Sequence, residues 1–264
     1  FDGQPYDRAA MEAEFANLSS RNPYTLRDPS DFRDEFGAYA SHLGIFYIEA
    51  DGTGGFRCRL TESARHLLCS PEPDIEAFCR VQLALFQYPL GHGVAYRQNS
   101  VRVQANVRDD TVRQVEAGIH VVPLRLALKS LLAQVDHRDL SPQDVFVTYG
   151  ELYALFNTPA TCTKPSPKDQ DILRVIDRWR GHPLPVTQTA ITQFRRNFHI
   201  LERTGLIRRR PDGLALNLGN SQEEFDQRLQ ASRTVATMDT FFDSFRQCRP
   251  PDTTACVERV IKSG

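Results

Sequence analysis

Lysine is scarce in this chain of 264 residues: it stands only at Lys129, Lys164, Lys168 and Lys262, and arginine supplies the rest of the 32 basic side chains. That scarcity excludes one common nuclease site. A metal-dependent endonuclease core places an acid two residues ahead of a lysine, so that carboxylates hold Mg²⁺ while the ammonium steadies the attacking water. The residues at that offset here are Ala127, Cys162, Ser166 and Val260, and none is acidic. Cysteine offers no metal site either. Cys58, Cys69, Cys79, Cys162, Cys248 and Cys256 form no C-x-x-C pair and no ligand spacing with the histidines, which predicts reduced thiols, no metal and no cofactor. A phosphate-cradling G-x-x-x-x-G-K-[ST], a G-x-S-x-G elbow and an H-N-H arrangement are also missing. No catalytic residue is therefore assigned. His92 and His199 have no partner at a diagnostic spacing and read as surface or structural histidines.

No apolar run approaches the roughly twenty residues of a membrane span. A cytoplasmic protein with no membrane partner is expected. The opening Phe1-Asp2-Gly3 is neither a signal peptide nor a natural start, and predicts a fragment or a processed chain. Formal net charge is −1, so any nucleic-acid surface must be local rather than spread over the molecule. Arginine in place of lysine suits bidentate phosphate and guanine contacts, although a GC-rich genome gives the same bias.

What the chain does contain is concentrated between Val186 and Asn217. On a 3.6-residue period over 187–203, Ala190, Ile191, Phe194, Phe198 and Leu201 fall on one side, and Gln188, Thr192, Arg195, Arg196, His199 and Arg203 on the other. Gly205 suits a helix C-cap, Leu206-Ile207 starts a strand, Pro211-Asp212-Gly213 turns it, and Leu214, Leu216 and Leu218 return. Helix, basic turn and return strand outline a winged helix. Arg195, Arg196, Arg203, Arg208, Arg209 and Arg210 would form a row about 30 Å long at 1.5 Å rise per residue, able to follow phosphates and release counterions. Gln188, Thr192 and Gln193, near the helix start, are candidates for base edges in the major groove. The competing reading is a structural helix and hairpin with solvated arginines, since winged helices also dock proteins.

The rest of the chain repeats the theme. A helix from Arg8 carries Met11, Phe15 and Leu18, and Ser30 caps another with Phe32, Phe36 and Tyr39. Ile45 to Ile48 and Phe56 to Leu60 pair across the glycine-rich turn at 51–55, which suggests a first wing flanked by Arg57 and Arg59. Asp31, Asp34 and Glu35 make its preceding helix too acidic for an easy groove fit. Thr61 starts a helix to Leu68, and Asp74 to Phe86 forms the next, with Ile75, Phe78, Cys79, Leu83 and Phe86 apolar. Val101 to Val107 reads as a strand or a polar helix. Helices follow from Val122-Pro123 through Leu132, from Ser141-Pro142-Gln143-Asp144 through 156, and over 169–179, with Ile172, Val175, Ile176 and Trp179 inward. After the wing, Ser221 and Glu224 form a capping box on a helix to about Ser232, and 238–245 supplies an apolar surface.

The order of features from Val121 to Leu218 resembles the DNA-reading region of some bacterial restriction endonucleases. The residues that carry it are Val122-Pro123-Leu124 with Leu128 to Leu132, Leu140-Ser141-Pro142-Gln143-Asp144, Ile172 to Trp179, and Phe198-x-x-Leu201-x-x-x-Gly205-Leu206-Ile207, with Phe78 to Gly91 as a further likeness. The resemblance implies recognition of a particular duplex sequence or modified base, with cleavage by another domain or subunit. The expected fold is α+β, mainly α, with tandem winged-helix-like modules and short β-hairpin wings over 1–118 and 119–220 and a helical extension over 221–264. The expected partners are double-stranded DNA and a nuclease or ATPase domain or subunit. A winged-helix transcription regulator or plasmid replication initiator, and a protein–protein adaptor, stay open as alternatives.

Overall fold

The computed structural model describes residues 2–5, 7–19, 43–86, 113–114, 116–164, 166–183 and 185–238. Helix α1 (Arg8–Ser19) forms where the spacing predicts it, with Met11 buried and the Asp7 carboxylate accepting from the Ala10 amide at 3.1 Å. Strands β1 (Phe46–Ala50) and β2 (Phe56–Leu60) pair antiparallel from Phe46 opposite Leu60 to Ala50 opposite Phe56. Their turn is held by Asp51, whose Oδ1 accepts from the Thr53 and Gly55 amides, both at 2.9 Å. Thr61 then caps α2 (Glu62–Leu67) through the Ala64 amide, and Asp74 caps α3 (Ile75–Leu85) through the Ala77 amide. Phe78, Cys79 and Leu83 point inward as expected, but Ile75 does not: at the first position of α3 it is 56% exposed. The expectations for the helix from Ser30, for Val101 to Val107, and for the chain beyond Met238 fall outside the described residues.

Helix α4 (Pro123–Arg138) starts with proline in its first turn, where the missing N–H is no loss, and runs past the Leu132 at which the apolar signal fades. The extension is possible because Gln134 is buried with its needs met: its amide donates to the Ser130 and Phe146 carbonyls at 3.1 and 3.2 Å. Ser141 to Asp144 makes a turn rather than a helix start. Phe146–Thr148 is strand β3, and the helix begins at α5 (Tyr149–Asn157). The true start signal lies further along the chain than the serine and proline suggest: Thr148 accepts from the Glu151 amide while the Glu151 carboxylate accepts from the Thr148 amide, which is a capping box. A short α6 (Pro159–Cys162) follows. Helix α7 (Asp169–Gly181) buries Ile172, Val175 and Ile176 and leaves Trp179 half-buried.

Next come α8 (Gln188–Asn197), a 3₁₀ segment (Phe198–Thr204), β4 (Ile207–Arg209), β5 (Gly213–Leu216) and α9 (Gln222–Ala236). Ser221 caps α9 through the Glu224 amide, and the Glu224 side chain reaches back to the Asn220 amide at 2.7 Å. Strand β5 lies between β3 and β4, antiparallel to both. Helix α4 is buried nearly all round, against α3, α7, α9, β3 and β5. Its Arg125 is 3% exposed and donates to the Ala84 carbonyl at 2.6 Å and the Met238 carbonyl at 3.0 Å, tying the ends of α3 and α9 to the centre. The buried apolar cluster runs without interruption in space from Ala64 to Met238. The architecture is α+β and mainly α.

Gly213 shows how close the sheet packs at the turn. A Cβ there would overlap the carbonyl oxygen and Cα of the neighbouring β3 residues Val147 and Thr148, which as backbone cannot move aside. Gly213→Ala is expected to lower unfolding free energy by about 1–3 kcal/mol. Urea titration reads this as a lower midpoint at unchanged slope, and an unchanged midpoint contradicts it.

Candidate nucleic-acid interface

Helix α8 begins where the Thr187 hydroxyl accepts from the Ala190 amide at 3.2 Å. Gln188, Thr192 and Arg195 are exposed at helical offsets of four and three, so they make one outward stripe, while Ala190 and Ile191 are half-buried behind it. Thr192 donates its hydroxyl hydrogen to the Gln188 carbonyl at 2.9 Å, leaving oxygen lone pairs directed outward. Gln193 and Arg196 belong to the same helix, and their side chains lie outside the described residues.

The continuous helix expected over 187–203 ends at Asn197. Phe198, Leu201 and Thr204 are all buried, and the three-per-turn winding of the 3₁₀ helix stacks them on one side. Phe198 meets the Phe156 ring edge-on at 5.3 Å, and the Thr204 hydroxyl donates to the Leu201 carbonyl at 2.6 Å. Gly205, at φ +69°, then turns the chain into β4. His199 and Arg203 remain exposed on the 3₁₀ segment.

Strand alternation divides the arginines of β4, sending Arg208 and Arg209 to opposite faces of the sheet. Arg208 lies opposite Ala215, which lies opposite Phe146, and cross-strand partners share a face of the sheet. Arg208 donates from Nε to the Leu216 carbonyl at 3.1 Å and from Nη2 to the Gln143 carbonyl at 3.3 Å. Arg210, just past β4, places its guanidinium 4.6 Å from the centroid of Phe146. Arg209 sits opposite Leu214, which sits opposite the buried Val147, and reaches from that other face to the 3₁₀ segment. There its Nη1 meets the His199 ring, 3.0 Å from Nδ1, and its Nε lies 3.7 Å from the Glu202 carboxylate. The Glu202 carboxylate also accepts from the Arg209 amide at 3.0 Å.

Arg195, Arg209 and His199 therefore come together, and two residues that sequence reasoning passed over organise them. Tyr149 lies 5.8 Å beneath the Arg195 guanidinium. Burial raises its phenol above the ordinary value, against the opposing pull of Arg195 and Arg209. Glu202 offsets part of the local positive charge. It was detectable as the single acid between Val186 and Arg210. Both members of the Glu202–Arg209 pair are about one-third exposed, and such a pair is worth only ~0–1 kcal/mol, so a competing phosphate can displace it.

Arg57 and Arg59 lie on β2, in the other hairpin. Residues 3–5 run along the outer edge of that strand: the Gly3 amide donates to the Cys58 carbonyl at 2.8 Å, the Cys58 amide to the Gln4 carbonyl at 3.0 Å, and Arg57 to the Gly3 carbonyl at 3.0 Å. Asp2 completes the cover by pairing with Arg65 at 3.0 Å. The Leu60 amide first, and Arg65 with it, hold that carboxyl below the ordinary range. Among the described residues no group of three His, Cys, Asp or Glu side chains could hold a metal ion, and no helix is long and apolar enough to cross a membrane.

Solved structures match this geometry in fold. Among them is the BpuJ1 endonuclease binding domain in crystalline complex with pyrene- and phenanthrene-modified DNA, with a TM-score of 0.57 and 17% identity over 86% of this chain and 75% of that one. The likeness extends the sequence resemblance from Val121 to Leu218 to most of the described fold. No protein-family model and no curated protein matches the chain.

The thiols follow the packing. Burial pushes Cys58 and Cys79 up to about 11, whereas Cys69 is exposed. At pH 8 a thiol reagent is expected to modify Cys69 on the folded protein and to spare Cys58 and Cys79 until denaturant is added. Because the unfolded chain gives up those two protons at lower pH than the folded one, stability is expected to fall as pH rises from about 9 toward 11. Peptide mass mapping checks the first expectation and denaturation at a series of pH values the second; labelling of Cys58 in the native protein contradicts both.

Proposed function

We propose that this chain reads double-stranded DNA, recognising a sequence or a modified base as part of a bacterial restriction or anti-phage protein whose cutting is done by another domain or subunit. The observation that carries the proposal is the exposed stripe of Gln188, Thr192 and Arg195 beside Arg209 and His199. Helix, strand, helices, helix, strand, turn and strand, with β5 central, support assigning residues 119–220 as a winged helix into which α6 and α7 are inserted. The similarity in fold to an endonuclease binding domain crystallised with DNA supports the same reading. The first hairpin, with Arg57 and Arg59, is then a second and smaller wing within 1–118.

In this reading α8 enters the major groove, with Gln188, Thr192 and Gln193 toward base edges. Arg195, Arg196, Arg203 and Arg209 hold phosphates on that side, and Arg208 and Arg210 hold phosphates across the wing. The intramolecular engagement of Arg208, Arg209 and Arg210 favours one alternative, a protein-docking adaptor; absence of duplex affinity at low salt would bring it forward. Binding to a palindrome as a dimer would instead favour a transcription regulator or replication initiator.

Anisotropy titration of a labelled duplex at two or more salt concentrations tests the proposal. Arg195→Gln and Arg209→Gln are each expected to weaken binding several-fold and to flatten the dependence of log K on log salt by about 0.9 for each phosphate left without its arginine. Thr192→Ala is expected to change discrimination among duplexes by ~1–3 kcal/mol and leave the salt slope unchanged. Unchanged affinity and slope in both arginine variants would remove this face as the interface.

A further inference from the structure

The outer face of β3 and the end of α7 enclose a cleft of about 470 Å³ that the proposed duplex-reading face leaves unused. Phe146, Trp179, Leu140 and Pro183 give it apolar walls, and Asp144 and Arg180 stand among its lining residues. Trp179 is fixed by close packing on Gly150, where a Cβ would overlap the indole ring. Arg180 is held by Glu151 and Gln134 at 2.5 and 2.9 Å. Asp144 is exposed, and its carboxylate makes no hydrogen bond among the described residues. The two arginines that alternation directs away from α8 lie beside this cleft without lining it: Arg210 lies on Phe146, and Arg208 reaches the carbonyl of Gln143, next to Asp144.

A volume in this range, aromatic walls, an open carboxylate and guanidinium groups at the margin match the chemistry of an unstacked nucleotide. A base removed from a duplex is read by stacking on aromatic or apolar side chains and by hydrogen bonds to its edge, while arginine takes the flanking phosphates. Asp144 as an acceptor suits an exocyclic amino group. We propose that this cleft accepts one nucleobase turned out of the duplex, with Phe146 and Trp179 as the stacking surface, Asp144 as the edge acceptor, and Arg208 and Arg210 on the adjoining phosphates. The proposal rests on the duplex-reading function and adds a second point of recognition on the opposite face of the wing. An apolar peptide side chain is the competing occupant, and it would not use the arginines.

Trp179 is the single tryptophan of the chain, so its fluorescence reports on the cleft directly. The test compares the whole chain titrated with a fully paired duplex and with the same duplex carrying one bulged adenine. The bulged duplex is expected to quench Trp179 and to bind about tenfold more tightly, the scale of one base stacked on an aromatic side chain. Phe146→Ala is expected to abolish that preference. Leu140→Glu, at a residue 40% exposed and therefore tolerant of change, is expected to abolish it by placing a carboxylate in the cleft. Equal binding of the two duplexes without quenching overturns the cleft proposal and leaves duplex reading standing. Failure to bind either duplex overturns both, and a preference that survives Leu140→Glu overturns the assignment to this cleft.

Discussion

A carboxylate taken out of water holds the helices around the small sheet in register. The Glu151 side chain is 2% exposed; it accepts from the Thr148 amide at 2.6 Å and from Arg180 Nε at 2.5 Å, and Arg180 in turn donates to Gln134 at 2.9 Å. An isolated carboxylate in that position would cost several kcal/mol, and these donors offset the cost. One residue thus joins the centre of α4, the start of α5 and the end of α7. The consequences spread outward. The end of β3 fixes the pairing with β5, and so the position of the β4–β5 hairpin; Tyr149, next to Thr148, becomes the support under Arg195; and the fixed end of α7 determines where the chain leaves for α8.

Side chains also close the small sheet. On its β3 side the Phe146 carbonyl accepts from Gln134, and on its β4 side the Arg209 amide donates to Glu202, so side chains occupy backbone groups that would otherwise invite another strand. A three-residue strand then has freedom only in how it distributes its side chains. Ile207 enters the core, Arg208 goes to the outer face, and Arg209 goes to the side of α8. Arginine on two faces of the sheet from one basic run is a property of the pleat.

Much of this was legible in the sequence, for reasons that can be named. The hairpin at 46–60, the proline start of α4, the inward set of α7, Gly205 as the turn into β4, and the return strand β5 all depend on local chemistry: caps, glycine conformation and periodicity. What was missed depends on distant partners. Ser141-Pro142 looks like a helix start, yet the chain continues to Thr148 because Phe146 and Val147 have β5 to pair with. The expected helix over 187–203 changes winding at Phe198, where a 3₁₀ segment stacks Phe198, Leu201 and Thr204 more directly over the core than an α-helix would. Within the site, the polar stripe of α8 was readable from period alone. The opposition of Arg209 to Arg208 was not, because it needs the strand register, and Glu202 mattered only once the 3₁₀ turn brought it under Arg209.

The proposed function requires α8 and its neighbouring hairpin to meet the double helix together. Two-dimensional amide NMR of the ¹⁵N-labelled chain, with a short duplex added stepwise at low salt, observes that meeting residue by residue. Shifts are expected to concentrate at residues 188–199 and 207–213 and to reverse on added salt. Shifts confined to α9 or to residues 62–85, or a spectrum that the duplex leaves unchanged, would contradict it.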